Sequence, residues 1–205
     1  MPAWSVDAQV LVRPASTFQS LAAAPAGVSW SVACRRPLFV TFVLGCAVSL
    51  GATGTLTARI AGPSMLYWVF VPIVEALALV AVIGRRRNRV PLTRAIDIFF
   101  AGHAPWTLLI IAITGLIASV SPALWWMILT RVAMAGMALV VCWSAYIDFS
   151  YFRAMFGVSR GVALRDLVAV RTITWLIVFS VFAAPEFTPW GLAREISEAV
   201  HEVLR

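Results

Sequence analysis

Four of the ionisable side chains within or beside the long apolar runs of this chain are candidates to carry chemistry. Glu75 and Arg131 lie deep inside two such runs, while His103 and Asp148 lie near the ends of two others. A charged side chain inside the hydrocarbon core is costly and usually has a partner within the helix bundle. These four residues are therefore the candidates for a buried polar site.

The depths of two of these residues predict an ion pair between Glu75 and Arg131. They follow the predicted span ends at Met65 and Ala123 by ten and eight residues, which at 1.5 Å per residue corresponds to about 15 and 12 Å. A carboxylate and a guanidinium at matching depth can form a bidentate pair. A structural clasp is favoured over a proton relay, ion relay or substrate counter-charge, because a relay normally needs further titratable groups.

His103 is the candidate for extending a relay, and Asp148 at the same predicted end of the bundle could orient its ring. A histidine hydrogen-bonded to a neighbour at the interface is the commoner arrangement. The other histidine, His201, falls on the opposite side in the predicted topology, which argues against a bis-histidine haem or a zinc site. The sequence shows no GxSxG, HExxH or Walker-type glycine loop. We therefore expect no cofactor, no metal and no enzymatic activity.

The composition is typical of a helical membrane protein. Of the 205 residues, 61% are hydrophobic and 12% are charged, whereas soluble domains are about half apolar and a quarter charged. Several apolar runs have the length of a transmembrane helix, and the alternating pattern of a membrane β-barrel is missing. The sequence predicts an all-α polytopic fold. The net charge of +7 is attributed to membrane topology, and we expect no nucleic-acid partner.

We predict three regions along the chain: a cytoplasmic segment over 1–36, a five-span bundle over 37–184 and an amphipathic tail over 185–205. The predicted spans are 37–58, 65–83, 102–120, 123–147 and 168–184. In the first region, PASTFQSLAAAP (14–25) predicts a short helix, located in the headgroup layer, against the bundle or free on the surface. In the tail, one helical face is apolar and consists of Leu192, Ile196, Val200 and Val203.

The distribution of arginine predicts the orientation. All 16 basic residues are arginines; twelve are counted with the predicted inner segments, among them Arg171 at the inner end of the fifth span, three with the outer ones, and one, Arg131, lies deep in a span. This bias indicates a cytoplasmic amino terminus and an outer carboxyl terminus. We expect a multi-pass protein of the inner (plasma) membrane. The densest cluster is interpreted as a topogenic signal that could also bind anionic lipid headgroups, and it consists of Arg85, Arg86, Arg87 and Arg89.

Small residues in the first span predict close helix packing. Gly45, Ser49 and Thr53 repeat every four residues, and Gly51 belongs to an adjacent row. Small side chains at this spacing let helix backbones approach closely in lipid. Packing within the bundle is favoured over a homodimer seam, because short loops already place neighbouring helices side by side.

Three stretches carry a family resemblance: RPASTFQSLA before the first span, AGHAPWTLLIIAI at the third and VCWSAYIDFSYFRAMFGVSRGVAL after the fourth. With the predicted topology, they make the chain resemble the Yip family (Ypt/Rab-interacting membrane proteins) and its bacterial relatives. The resemblance covers most of the chain and implies a five-span fold rather than an activity, with no catalytic residues to transfer. Eukaryotic members are linked to Rab GTPases, whereas the arginine-only basic content and short termini here resemble bacterial members.

Together these patterns favour a non-enzymatic integral membrane protein that acts as a scaffold, assembly factor or accessory subunit through helix packing. Its partners would be the lipid bilayer and another membrane protein or a second copy. The alternative is a small transporter or permease subunit that uses Glu75 and Arg131. A membrane enzyme acting on lipid is disfavoured, because the sequence shows no nucleophile and base set.

Overall fold

The computed structural model describes residues 3–23, 27–84, 90–119 and 129–183. Every regular element in these ranges is helical. In chain order they are α1 (Ala3–Val12), α2 (Pro14–Ala22), α3 (Trp30–Thr53), α4 (Ala58–Trp68), α5 (Phe70–Ile83), α6 (Leu92–Ala101), α7 (Ala104–Ser119), a π-helical turn (Leu129–Ala133), α8 (Met134–Phe156) and α9 (Arg160–Ala183).

Four of the described segments are long and apolar enough to cross a membrane: Trp30–Thr53, Ala58–Ile83, Arg131–Phe156 and Arg160–Ala183. Helices α6 and α7, which meet at a 40° bend, make a fifth when they are taken as one broken span. The predicted all-α polytopic fold is thereby confirmed for the described part of the chain. The predicted tail helix over 185–205 and the arginine cluster over 85–89 lie outside the described residues.

The helix ends differ from the predicted span ends. Helix α3 begins at Trp30 rather than at Pro37, and α9 begins at Arg160 rather than at Val168. Pro37 lies inside α3, seven residues after its start, where it removes one backbone hydrogen bond without ending the helix. The polar residues before the apolar run of α9 continue the same helix. As a result Arg171, assigned by the sequence to an inner segment, lies eleven residues into α9, about 16 Å from its start.

The amino-terminal helices pack onto the bundle. Helix α2 lies against α8, where the buried Phe18 ring meets the edge of the Tyr151 ring at 5.7 Å between centroids. Trp143 Nε1 also donates to the Leu11 carbonyl at 3.0 Å. The helix predicted within 14–25 is confirmed, and of its three expected locations the structure shows the one against the bundle.

The packed core lies at the end of the bundle that carries these two helices, called the α1–α2 end below. Its fully buried side chains include Val10, Phe18, Leu79, Phe99 and Phe152. Large apolar side chains elsewhere on the spans point outward, as expected of a lipid-facing surface. They include Leu66, Leu139, Leu176 and Phe179.

Helices α3 and α4 pack closely together, as the small residues of the first span predict. A Cβ atom on Gly45 would clash with Met65 Cγ and would lie 2.7 Å from the Ala61 carbonyl oxygen. Ser49 Oγ accepts from the Thr57 amide at 2.9 Å, and Thr53 Oγ1 donates to the Ser49 carbonyl at 2.9 Å. The row is thus used between helices of the same chain.

Gly51 in the adjacent row does not share this role. It is exposed, and nothing lies within 4 Å of a Cβ atom built there. The second predicted row therefore makes no close helix contact at this position.

Candidate functional site: a buried charge cluster

Four ionisable side chains from different helical elements meet inside the bundle. Glu75 comes from α5, His103 from the break between α6 and α7, Asp148 from α8 and Arg171 from α9. The first three are buried, and the Arg171 side chain is 22% exposed. These four residues are called the charge cluster.

Arg171 is the centre of the cluster. Its Nη1 donates to Glu75 Oε1 at 2.8 Å, and its Nε donates to Asp148 Oδ2 at 2.8 Å. Its Nη2 bonds the same Asp148 oxygen. The second oxygen of Glu75 lies 2.8 Å from Nε2 of His103. One guanidinium therefore joins two carboxylates, and the imidazole extends the chain of hydrogen bonds by one member.

Helix register brings these groups to one level. Glu75 and Asp148 each lie eight residues before the carboxyl ends of α5 and α8, and Arg171 lies eleven residues after the start of α9. These spacings place the three groups about 12 to 16 Å from helix ends on the same side of the bundle. Equal depth on adjacent helices allows charge-assisted hydrogen bonds without distortion of any helix.

The break between α6 and α7 delivers the histidine. Gly102 lies at this break, and a Cβ atom there would come within 2.9 Å of Ile147 Cγ2 on α8. Glycine therefore permits the close approach of the break to α8. Tyr151 holds α6 on the same helix, since its hydroxyl donates to the Ala95 carbonyl at 2.9 Å.

Aromatic rings border the cluster. The Phe99 ring centroid lies 6.0 Å from Arg171 Cζ, and the rings of Phe99 and Phe100 lie 5.4 and 4.8 Å from the His103 ring. These apolar walls limit access of water to the charged groups. Electrostatic attraction within the cluster is correspondingly stronger than it would be at an aqueous surface.

A second ion-paired group lies nearer the α1–α2 end. Arg36 Nε donates to Asp7 Oδ1 at 2.7 Å, and Arg36 Nη1 bonds the Asp97 carboxylate. These contacts fasten α1 and α6 to α3. Burial raises the pKa of the Asp7 carboxyl, while the neighbouring Arg36 guanidinium acts in the opposite direction.

The predicted pairing of Glu75 with Arg131 is wrong. Both oxygens of Glu75 are bonded to other groups, while Arg131 lies exposed in the π-helical turn before α8. Matching depth does not fix the direction in which each helix points its side chain. Sequence reasoning missed the correct partner, Arg171, because a span that begins at residue 168 puts Arg171 only three residues from its inner end, where it was counted with the inner segments.

His103 and Asp148, the predicted polar pair, do enter the same site. Their described bonds run to different partners, from His103 to Glu75 and from Asp148 to Arg171. Sequence reasoning also missed the group formed by Asp7, Arg36 and Asp97. The sequence does contain a signal for this group. The carboxylates of Asp7 and Asp97 both lie close to apolar segments, where each needs a cationic partner.

Two cavities reach the cluster from different sides. One, of about 370 Å³, lies among α1, α3, α6 and α7 and has His103 in its wall. The other, of about 380 Å³, lies among α7, α8 and α9 and has Ser144 and Arg171 in its wall. Within the described part of the chain, the buried polar atoms without a hydrogen-bond partner include His103 Nδ1, Ser144 Oγ and Thr174 Oγ1.

These features define the class of protein: an all-α membrane protein with several spans and a buried cluster of charges shared among them. The described residues contain no group of three His, Cys, Asp or Glu side chains placed to hold a metal ion. Comparison of the chain with family models, curated proteins and solved structures gives no match in any of the three.

Proposed function

We propose that the chain is a non-enzymatic integral membrane protein that serves as a scaffold, assembly factor or accessory subunit. The pairing of Arg171 with both Glu75 and Asp148 carries this proposal. In this pairing the buried charges connect α5, α8 and α9 to one another. The bond from His103 to Glu75 also connects the α6–α7 break to α5. Buried polar contacts of this kind are best attested as devices that fix helix register. A bundle fixed in this way presents a constant surface to a partner.

The α1–α2 end supplies a surface suited to such a partner. Its helices are held by the Asp7–Arg36 ion pair and by the bond from Trp143 to Leu11. Exposed arginines on the same end of the molecule include Arg13, Arg35, Arg153 and Arg160. A positively charged, preformed surface fits the acidic face of another membrane protein or of a membrane-associated protein.

We also propose a multi-pass inner-membrane location with the amino terminus in the cytoplasm, and a relationship to the Yip family. The arginine bias supports the orientation. The helix Pro14–Ala22 ahead of the first span agrees with the arrangement that the resemblance implies.

Purification of the full chain from its native membrane in mild detergent tests the scaffold proposal. We expect a larger complex of fixed stoichiometry that dissociates when Arg153→Gln and Arg160→Gln are combined. Arg131→Gln is the matched control, since it removes an exposed arginine elsewhere on the chain, and it should leave the complex intact. A wild-type chain recovered alone under all mild conditions would contradict the proposal.

A proton-coupled transporter subunit is the second candidate. The observation that favours it is the continuous path from one cavity through His103, Glu75 and Arg171 to the other cavity. Histidine exchanges protons near neutral pH, and His103 keeps one ring nitrogen without a described partner.

Reconstituted vesicles containing a pH-sensitive dye separate the two candidates. A transporter subunit predicts proton flux that His103→Gln abolishes while the protein still folds. A scaffold predicts flux equal to that of empty vesicles for the wild-type chain and for the variant. Gln9→Ala, on the exposed face of α1, is the control for handling and reconstitution.

A further inference from the structure

The cavity beside His103 has the form of a site for an amphiphile. Its walls come from α1, α3, the α6–α7 break and the first turns of α7, and its volume of about 370 Å³ lies within the range of small-molecule pockets, about 300–1,000 Å³. Apolar side chains make most of the wall. They include Leu11, Phe39, Val40, Phe100, Leu108 and Ile111.

The cavity has a polar end and an apolar end. Asp7, Arg36 and His103 lie toward the α1–α2 end. From there the wall follows α3 to Val40 and α7 to Ile111, which is eight residues past His103 and about 12 Å further along the helix axis. The order of polar and apolar groups matches a lipid that enters the membrane with its headgroup at the α1–α2 end.

The cavity also opens toward the lipid. Phe39, Leu108 and Ile111 are each about half exposed, on spans whose outward faces are apolar. An acyl chain from the surrounding leaflet can therefore reach the cavity sideways without crossing a polar surface. A water-soluble ligand would instead have to pass α1, which closes the other side with Asp7, Ala8 and Leu11.

His103 adds the observation that points to an occupant. The residue is only 6% exposed, its Nε2 is bonded to Glu75, and its Nδ1 has no hydrogen-bond partner in the described structure. A buried polar atom without a partner is destabilising. The glycerol region of a phospholipid supplies ester oxygens that can satisfy it, because they accept a hydrogen bond when Nδ1 carries a proton.

We propose that this cavity binds one acyl chain of a membrane phospholipid, with the glycerol region next to His103 and the headgroup at the Asp7–Arg36 ion pair. The site is independent of the scaffold function, because it lies on the lipid-facing side between α3 and α7. A bound lipid would fill the space beneath α1 and hold it against α3.

Photo-crosslinking tests the proposal. The full chain is reconstituted in vesicles of phosphatidylethanolamine and phosphatidylglycerol with a trace of phosphatidylethanolamine that carries a diazirine on one acyl chain. We expect peptides from 38–42 and 104–111 to be labelled several-fold more than the lipid-facing surface of α9 around Leu176 and Phe179. Equal labelling of the two surfaces would overturn the proposal.

Cavity-filling variants supply the control. Ala104→Trp fills the cavity from its wall and should reduce labelling of these peptides to the level of α9. Ala112→Trp places the same side chain on the exposed face of the same helix, outside the cavity, and should leave the labelling high. If Ala104→Trp does not fold, Leu108→Trp at the half-exposed rim repeats the test. Unchanged labelling in a folded cavity-filling variant would contradict a bound chain.

Discussion

Arg171 determines the electrostatics of the bundle interior. One guanidinium bonds two carboxylates from two other helices. Removal of Arg171 would leave both carboxylates buried with no guanidinium. Removal of the Glu75 carboxylate would leave Arg171 bonded to Asp148 alone. It would also leave Nε2 of His103 without its hydrogen-bond partner.

The first prediction concerns the free energy of unfolding. Arg171→Gln should cost about 3–5 kcal/mol, since breaking a buried pair on one side strands the remaining charge. Glu75→Gln should cost less, and the double variant should be less destabilised than the sum of the single ones. The measurement is the yield and thermal stability of monodisperse protein in detergent.

Arg131 supplies the control for this series. It is exposed and takes no part in the bonds of the cluster, so Arg131→Gln should fold like the wild type. The structure would be contradicted if the losses of stability from Glu75→Gln and Arg171→Gln were additive. It would also be contradicted if Glu75→Gln were coupled to Arg131→Gln instead.

The second prediction concerns pH and Asp7. Burial raises the pKa of this carboxyl in the folded state, against the opposing effects of Arg36 and Arg35. Its contribution to stability is therefore fully present below the unfolded-state pKa and is lost as the pH rises through the folded-state pKa. Asp7→Asn keeps an uncharged group at all pH values, so it should gain thermal stability relative to wild type between about pH 4 and pH 7.

Thermal unfolding of both proteins across this range measures the difference. Gln9→Ala on the exposed face of α1 should show no such trend. If the thermal stability of the wild type instead increases relative to that of Asp7→Asn as the pH rises, the ion pair with Arg36 outweighs the effect of burial.

At the scale of helices, the sequence predicts the number and class of spans better than their ends. Long apolar runs identified all five regions, because the cost of unsatisfied backbone groups in lipid leaves helices as the solution. The start of α9 at Arg160 was missed, because a helix that protrudes from the membrane has no reason to begin where its apolar run begins. With a start at residue 168, Arg171 lies only three residues into the predicted span, and its real depth of eleven residues was not recognised.

The charge cluster was predictable only in part. Glu75, His103 and Asp148 were identified individually, since charged and titratable groups near spans are few. Their partners depend on which helices are neighbours and on how each is rotated about its axis. Neither quantity follows from depth along the chain, and the 40° bend between α6 and α7 adds a change of direction.

The third prediction tests the contact of α3 with α4. Gly45→Ala should destabilise the fold by about 1–3 kcal/mol, as overpacking does, because the added atom meets the Ala61 backbone as well as the Met65 side chain. Gly51→Ala lies on the same helix with open space around it and should be neutral. Thermal stability in detergent compares the two, and equal behaviour would show that α3 and α4 are further apart than described.

At the scale of the whole molecule, packing is unequal between the two ends. The α1–α2 end contains most of the fully buried side chains together with the Asp7–Arg36–Asp97 group and the charge cluster, while the lipid-facing parts of the spans carry the exposed apolar residues. Opening of the bundle should therefore begin away from the α1–α2 end, where fewer interhelical contacts oppose separation.

The fourth prediction concerns orientation in the membrane. The arginine bias favours the proposed orientation, with the amino terminus in the cytoplasm. A reporter that is active only outside the cytoplasm should therefore be active when fused after Arg205 and silent when inserted at Asn88. Activity at Asn88 together with silence after Arg205 would reverse the topology.

The order in which the four cluster residues occur along the chain has a consequence for biosynthesis. Glu75, His103 and Asp148 all precede Arg171, so the ribosome completes their helices before it makes the guanidinium that binds the carboxylates. Until the last described helix is inserted, the nascent bundle holds acidic groups in need of water or a temporary partner. A chain cut short after Phe156 would keep that defect permanently, which gives membrane quality control a chemical mark by which to distinguish unfinished chains from finished ones.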